Sequence, residues 1–203
     1  MKVIVVTGGI GSGKSAVCRI MNKRYGFPVY EADTKVKSLY LTHPSLLDDI
    51  ESALGDRFRN EDGDFVPAML AKKIFSDRQA LLAVEGLVFP ALMDDFRIFC
   101  MTHSESGAVI FESATILEKP QFEGFVDITV LVDAPYEVRL KRSLERDSSS
   151  QLEIMRRMDN QKLMNRLSSG EIDERVDYTV VNDSTLQDLE AKINELVRKM
   201  SIT

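Results

Sequence analysis

The sequence predicts a three-layer α/β fold, a parallel sheet of about five strands with helices on both faces. Three observations predict it. A β-branched run, Val3-Ile4-Val5-Val6, leads into a glycine-rich turn and then a helical pattern. Short apolar segments alternate with helical ones along the rest of the chain, as in a parallel sheet buried on both sides. The closing segment carries Leu186, Leu189, Ile193, Leu196 and Met200 at helical spacing.

The elements follow in order. After the first strand, a helix from Lys14 places Val17, Ile20, Met21 and Tyr25 on one face and stops at Gly26, a natural C-terminal cap. Phe27-Pro28-Val29-Tyr30 reads as a short second strand. Ser45 caps a helix with Leu46, Leu47, Ile50 and Leu54 on its apolar face, ended by Gly55. Glu61-Asp62-Gly63-Asp64 is a turn, and Pro67 opens a helix to Phe75. Residues 78–100 are helical in pattern, with Pro90 expected to kink or divide them. Ala108–Glu112 and Val126–Asp133 are the third and fourth strands. A helix with Val138, Leu140 and Leu144 reaches Arg146. The polar loop Asp147-Ser148-Ser149-Ser150 then caps a helix from Gln151 to Leu167. Tyr178–Val181 is the fifth strand, and the last helix begins near Ser184. The divisions expected are a nucleotide-binding core of 1–33 and 104–203, a helical insertion of 34–103, and a helical lid of 139–170 within the core.

Composition bounds the function. The chain of 203 residues is 44% hydrophobic and 29% charged, ordinary for a globular protein with a real core. A net charge of −6 argues against a broad nucleic-acid surface. No apolar run reaches the roughly 18 residues of a membrane span. The N-terminus enters the first strand at once and leaves no room for a signal peptide. Cys18 and Cys100 form no framework, and Cys18 reads as a small core residue. His43 and His103 are too scattered for a zinc site. These features favour a cytoplasmic protein; a monomer is favoured too, although nothing in the residues sets the oligomeric state.

The chemistry is concentrated in Gly8-Gly9-Ile10-Gly11-Ser12-Gly13-Lys14-Ser15, the pattern Gly-x-x-x-x-Gly-Lys-Ser/Thr between a strand and a helix. Glycines let successive N–H groups point into one concavity that holds phosphate oxygens, and the following helix adds the positive end of its dipole. The pattern places Lys14 to reach the terminal phosphates of a nucleoside triphosphate and the Ser15 hydroxyl to ligate Mg²⁺. Gly9, Ile10, Gly11, Ser12, Gly13, Lys14, Ser15 and Ala16 are the expected nucleotide-binding set. No Asn-Lys-x-Asp base-reading motif of a GTPase is present. Glu112, after an apolar strand, is the nearest candidate for the Mg²⁺-binding carboxylate of a motor ATPase. Size, helical insertion and an arginine-bearing segment fit a kinase for a small acceptor; a nucleoside, gluconate or shikimate kinase and a nucleotide-binding protein without transferase activity remain open at this point.

Longer stretches narrow the choice. Val6 to Ser15 and Val29-Tyr30-Glu31-Ala32-Asp33 resemble the opening of the dephospho-CoA kinase family. Val130 to Glu137, Leu140-Lys141-Arg142 and Arg146-Asp147 are similar to its fourth strand and flap, and Val180-Val181-Asn182 to its close. Glu31, Phe89 and the segment Ala114-Thr115-Ile116-Leu117-Glu118 depart from the family pattern, which has Asp, His and Pro-Leu-Leu-Phe-Glu there. The resemblance implies transfer of phosphate from ATP to the ribose 3′-hydroxyl of dephospho-CoA, the last step of coenzyme A synthesis. It implies Asp33 as the base, Arg142 at the ATP phosphates or adenine with Arg146 close behind, and Asn182 at the adenine. Arg142 and Arg146 are four residues apart and share a helix face, with Arg139 and Lys141 read as off that face. Gln161 has no role assigned from the sequence.

Overall fold

The structure, a computed structural model, describes residues 1–119, 124–147 and 149–202. Its five described strands are β1 (Lys2–Gly8), β2 (Val29–Glu31), β3 (Ala108–Glu112), β4 (Ile128–Asp133) and β5 (Tyr178–Val181). They form one parallel sheet in the order β2-β3-β1-β4-β5. β1 is central: Val6 pairs with Glu112 on one side and with Val130 on the other. Alternation along β1 sends Ile4 and Val6 to one face. There they join Ile110, Val130, Val132 and Val180 against α1 (Lys14–Tyr25) and α9 (Leu186–Lys199), which contribute Val17, Met21, Ile193 and Val197. Cys18 is buried in this cluster, as expected of a small core residue. The other face buries Val5, Val109 and Phe111, with the Phe111 ring stacked on Tyr30 at 5.4 Å between centroids. The three-layer α/β expectation therefore holds.

The described chain divides into two compact units, one of residues 1–31 and 103–203, the other of residues 32–102. The second is helical: α2 (Ala32–Thr42), α3 (Leu46–Leu54), α4 (Pro67–Ser76) and α5 (Arg78–Thr102). Pro67 does open α4, and Gly55 ends α3 in the left-handed conformation with its N–H on the Glu51 carbonyl. Ser45 precedes α3, but its hydroxyl donates to Asp49 rather than accepting a backbone N–H. Pro90 does not divide its helix: α5 runs through it for 25 residues. Proline frees the carbonyl four residues earlier, here that of Gly86, which is exposed and can bond to water.

Two helices replace the one expected over 151–167. α7 (Gln151–Asp159) and α8 (Lys162–Ser168) are separated at Asn160-Gln161. Asn165 stabilises the break: its Nδ2 donates at 2.9 Å to the Met158 carbonyl in the last turn of α7, which also accepts the Gln161 N–H at 3.1 Å. The serine-rich loop does cap α7, through a reciprocal Ser150–Glu153 box; Ser148 lies outside the described residues. α6 (Tyr136–Arg146) precedes them, and Leu140, Ile154 and Met158 pack together between α6 and α7. The last helix starts two residues later than expected because Thr185, boxed with Asp188, is its cap. No described helix is long and apolar enough to cross a membrane.

Candidate active site

The chain leaves the carboxyl end of the central strand β1 and turns directly into α1. Ser12 N–H closes the loop on the Gly9 carbonyl at 3.1 Å. Gly13 caps α1 at φ 98°, and its carbonyl accepts the Ala16 and Val17 N–H groups at 3.0 and 3.1 Å. No other residue fits position 13. The left-handed backbone disfavours a side chain, and a Cβ would lie 2.1 Å from Asn182 Nδ2. The Lys14 ammonium folds back and donates to the Gly8 and Gly9 carbonyls at 3.0 and 3.3 Å.

Ser15 is exposed at the start of α1, and its hydroxyl donates to Glu112 Oε1 at 2.8 Å. The parallel register of β1 and β3 brings this pair together across 97 residues of sequence. The other oxygen of Glu112, Oε2, is buried without a hydrogen-bond partner. Its neighbour Cys18 is only a weak donor. Burial first, and then the Glu112 carboxylate, push the Cys18 thiol well above its ordinary pKa. No group of three or more described His, Cys, Asp and Glu residues could hold a metal by itself. An orphaned carboxylate oxygen beside a hydroxyl is nonetheless an oxygen donor set of the kind Mg²⁺ takes, with water and phosphate completing the shell.

Arg142 and Asn182 meet over the loop. Arg142 Nη1 donates to the Asn182 carbonyl at 3.0 Å and lies 3.5 Å from the Ser12 carbonyl; Nη2 reaches Asn182 Oδ1 at 3.4 Å. Asn182, buried, donates its Nδ2 to the Ser12 carbonyl at 2.8 Å. Its amide is therefore held by the loop. Arg146 is exposed and turned away to Asp147, which accepts from its Nε at 2.7 Å and from Arg157 at 3.4 Å. Shared helix face does not bring Arg146 to the loop with Arg142. Asp33 lies in the first turn of α2, just past the end of β2, and is exposed.

Two residues of the site escape the sequence reading. Gln161, at the break between α7 and α8, accepts the Ile10 N–H at 2.7 Å and so ties that break to the loop. Arg139, read as off the face of Arg142 and Arg146, is buried. Its Nη1 stands 2.1 Å from where a Cβ on Gly9 would be, so a side chain there would have to displace the guanidinium. The signal was available for Arg139: spacings of three and four put it beside Arg142 and the small, buried Ser143. Gln161 lies in a stretch, Met158-Asp159-Asn160-Gln161, that resembles a family element, but its partner is 151 residues away and the sequence gives no role for it.

The family model for dephospho-CoA kinase, CoaE, matches residues 2–188. The chain belongs to the dephospho-CoA kinase family. A dephospho-CoA kinase of Salinibacter ruber is 32% identical over 197 residues, covering 97% of this chain and 96% of that one. A solved structure from Thermus thermophilus aligns with a TM-score of 0.80 at 26% identity over 98% of each chain. The solved dephospho-CoA kinase of Campylobacter jejuni aligns at 0.60 with 20% identity, covering 99% of this chain and 98% of that one, and shares the fold. The P-loop kinase fold and the phosphate loop are thus those of a dephospho-CoA kinase, as the resemblance of the loop and flap implied.

Proposed function

We propose that this chain transfers the terminal phosphate of ATP to the ribose 3′-hydroxyl of dephospho-CoA, giving ADP and coenzyme A. The chain-long family match over residues 2–188 carries the reading. The geometry supports it. A glycine-built loop at the end of the central strand offers N–H donors and a helix dipole to the ATP phosphates. Lys14, resting on the loop's own carbonyls, needs only to swing to the terminal phosphate. Ser15 and Glu112 would hold Mg²⁺, with the orphaned Glu112 oxygen as the second protein ligand. The ion, when bound, neutralises charge developing between the outer phosphates.

Asp33 is the proposed base: a carboxylate past the carboxyl end of a parallel strand lies where α/β sheets bind ligands. It accepts the acceptor's hydroxyl proton as the oxygen attacks phosphorus. Arg142 shapes the loop through Ser12 and Asn182 and carries charge to the nucleotide side. Asn182 sits at the same place, and Arg146 becomes available if its pair with Asp147 opens. Residues 34–103 are proposed to receive the acceptor. Residues 139–170 are proposed to act as a lid that excludes water and so limits hydrolysis of ATP. The test is an assay of purified protein with ATP, Mg²⁺ and dephospho-CoA, the product identified by mass. Coenzyme A is the expected product; faster turnover of a nucleoside, gluconate or shikimate refutes the assignment.

A further inference from the structure

Arg139 is a charge buried without a counter-charge. It is 2% exposed, yet its Nε and Nη1 have no hydrogen-bond partner, and it makes no ion pair among the described residues. Nη2 reaches Asn165 Oδ1 only at 3.5 Å, and the Tyr136 ring centre lies 5.8 Å from Cζ. A guanidinium is always charged and brings five donors. Burying one unpaired opposes folding unless something else claims it. Nothing described in the fold does.

Its position says what could. Nη1 fills the space beside Gly9 where a Cβ would be, and the Gly9 carbonyl accepts from the Lys14 ammonium at 3.3 Å. Two cations, one from α1 and one from α6, therefore meet at a single residue of the phosphate loop. Arg139 also walls a cavity of about 500 Å³ with Tyr136, Asn165 and Ser168. Of the carboxylates on that wall, Asp133 is taken by the Ser168 hydroxyl at 2.6 Å, and Asp159 makes no ion pair with Arg139.

We propose that Arg139 donates its unpaired N–H groups to the terminal phosphate of bound ATP, as a phosphate contact separate from Arg142 and Arg146. The inference rests on the ATP-dependent reading above. A contact to the terminal phosphate exists with ATP and is absent with ADP, so Arg139 makes the site favour the triphosphate.

The test is calorimetric titration of the full chain and Arg139→Gln with ADP and with a non-hydrolysable β,γ-imido analogue of ATP, both with Mg²⁺. The variant is expected to bind the analogue about ten-fold or more weaker, the size of a charge-assisted hydrogen bond. Its ADP affinity stays within about two-fold. The unliganded variant melts no lower than wild type, because a buried unpaired charge is gone. An unchanged ratio of the two affinities overturns the proposal; equal losses for both, with a lower melting temperature, mark Arg139 as a support for the loop. Arg139→Lys carries the same comparison should Arg139→Gln not fold, with a smaller loss of the same sign. Failure of the wild type to bind either nucleotide would instead sink the ATP reading itself.

Discussion

Replacing Asn182 by alanine tests whether the amide belongs to the loop or to the nucleotide base. In the structure its Nδ2 is the close donor to the buried Ser12 carbonyl, at 2.8 Å. Truncation leaves that carbonyl without its main partner. An orphaned buried acceptor costs about 1–3 kcal/mol. Arg142 Nη1, 3.5 Å from the same oxygen, can close part of the gap, which sets the expectation at about 1–2 kcal/mol. For a chain of this size that is a fall in melting temperature of roughly 2–8 °C. The loop loses a support shared by every bound phosphate, so ATP and ADP affinities should weaken together by a few-fold. Thermal unfolding followed by circular dichroism, with titration of both nucleotides, reads out the two effects. An unchanged melting temperature, combined with a lost preference for adenine over guanine nucleotides, would refute the reasoning and place the amide on the base.

Lys14→Ala is expected to lower kcat by on the order of a thousand-fold, the scale of a lost transition-state charge partner, and near-normal turnover would remove Lys14 from the chemistry. Asp33→Asn should keep ATP affinity while kcat falls by about a hundred-fold or more, as for a missing general base; stopped-flow measurement with ordinary turnover would show that the carboxylate is dispensable. Asp147 joins the end of α6 to α7. Its carboxyl is held below the ordinary 3.8 by the hydrogen bond from Arg146, against a smaller effect of burial and with further help from Arg157. A lowered folded value gives stability that is full above 3.8 and lost as pH falls through the folded value. Asp147→Asn should therefore lose less melting temperature than wild type on acidification from about pH 5 to pH 2, and parallel profiles would contradict this.

The sequence by itself determined whatever depends on neighbouring residues. β1, the glycine loop and α1 are legible because strand pattern, turn chemistry and helix start occur in one run from Lys2 to Tyr25. The capping of α7 by Ser150, the stop of α3 at Gly55 and the buried face of α9 are equally local. The parallel sheet followed from alternation of short apolar runs with helices, and the acceptor class from loop and flap motifs that resemble one family. Continuity of α5 through Pro90 was not legible, because a single exposed break in the hydrogen-bond ladder is outweighed by packing of Val84, Val88 and Phe96 along the helix.

Only the tertiary structure decided how distant groups share the site. The strand order sets Ser15 against Glu112 across 97 residues and Asn182 against Ser12 across 170. The break at Asn160-Gln161 is such a case. Local pattern favours one helix over 151–167, and the interruption lets Gln161 reach the Ile10 N–H. Arg146 shares a helix face with Arg142, yet an adjacent carboxylate captures it. Spacing puts Arg139 beside Arg142 and Ser143, but only the packing of α6 on the loop shows that this side is buried against Gly9. Sequence periodicity says which residues share a face; which face meets which partner is fixed by the register and packing of elements far apart in the chain.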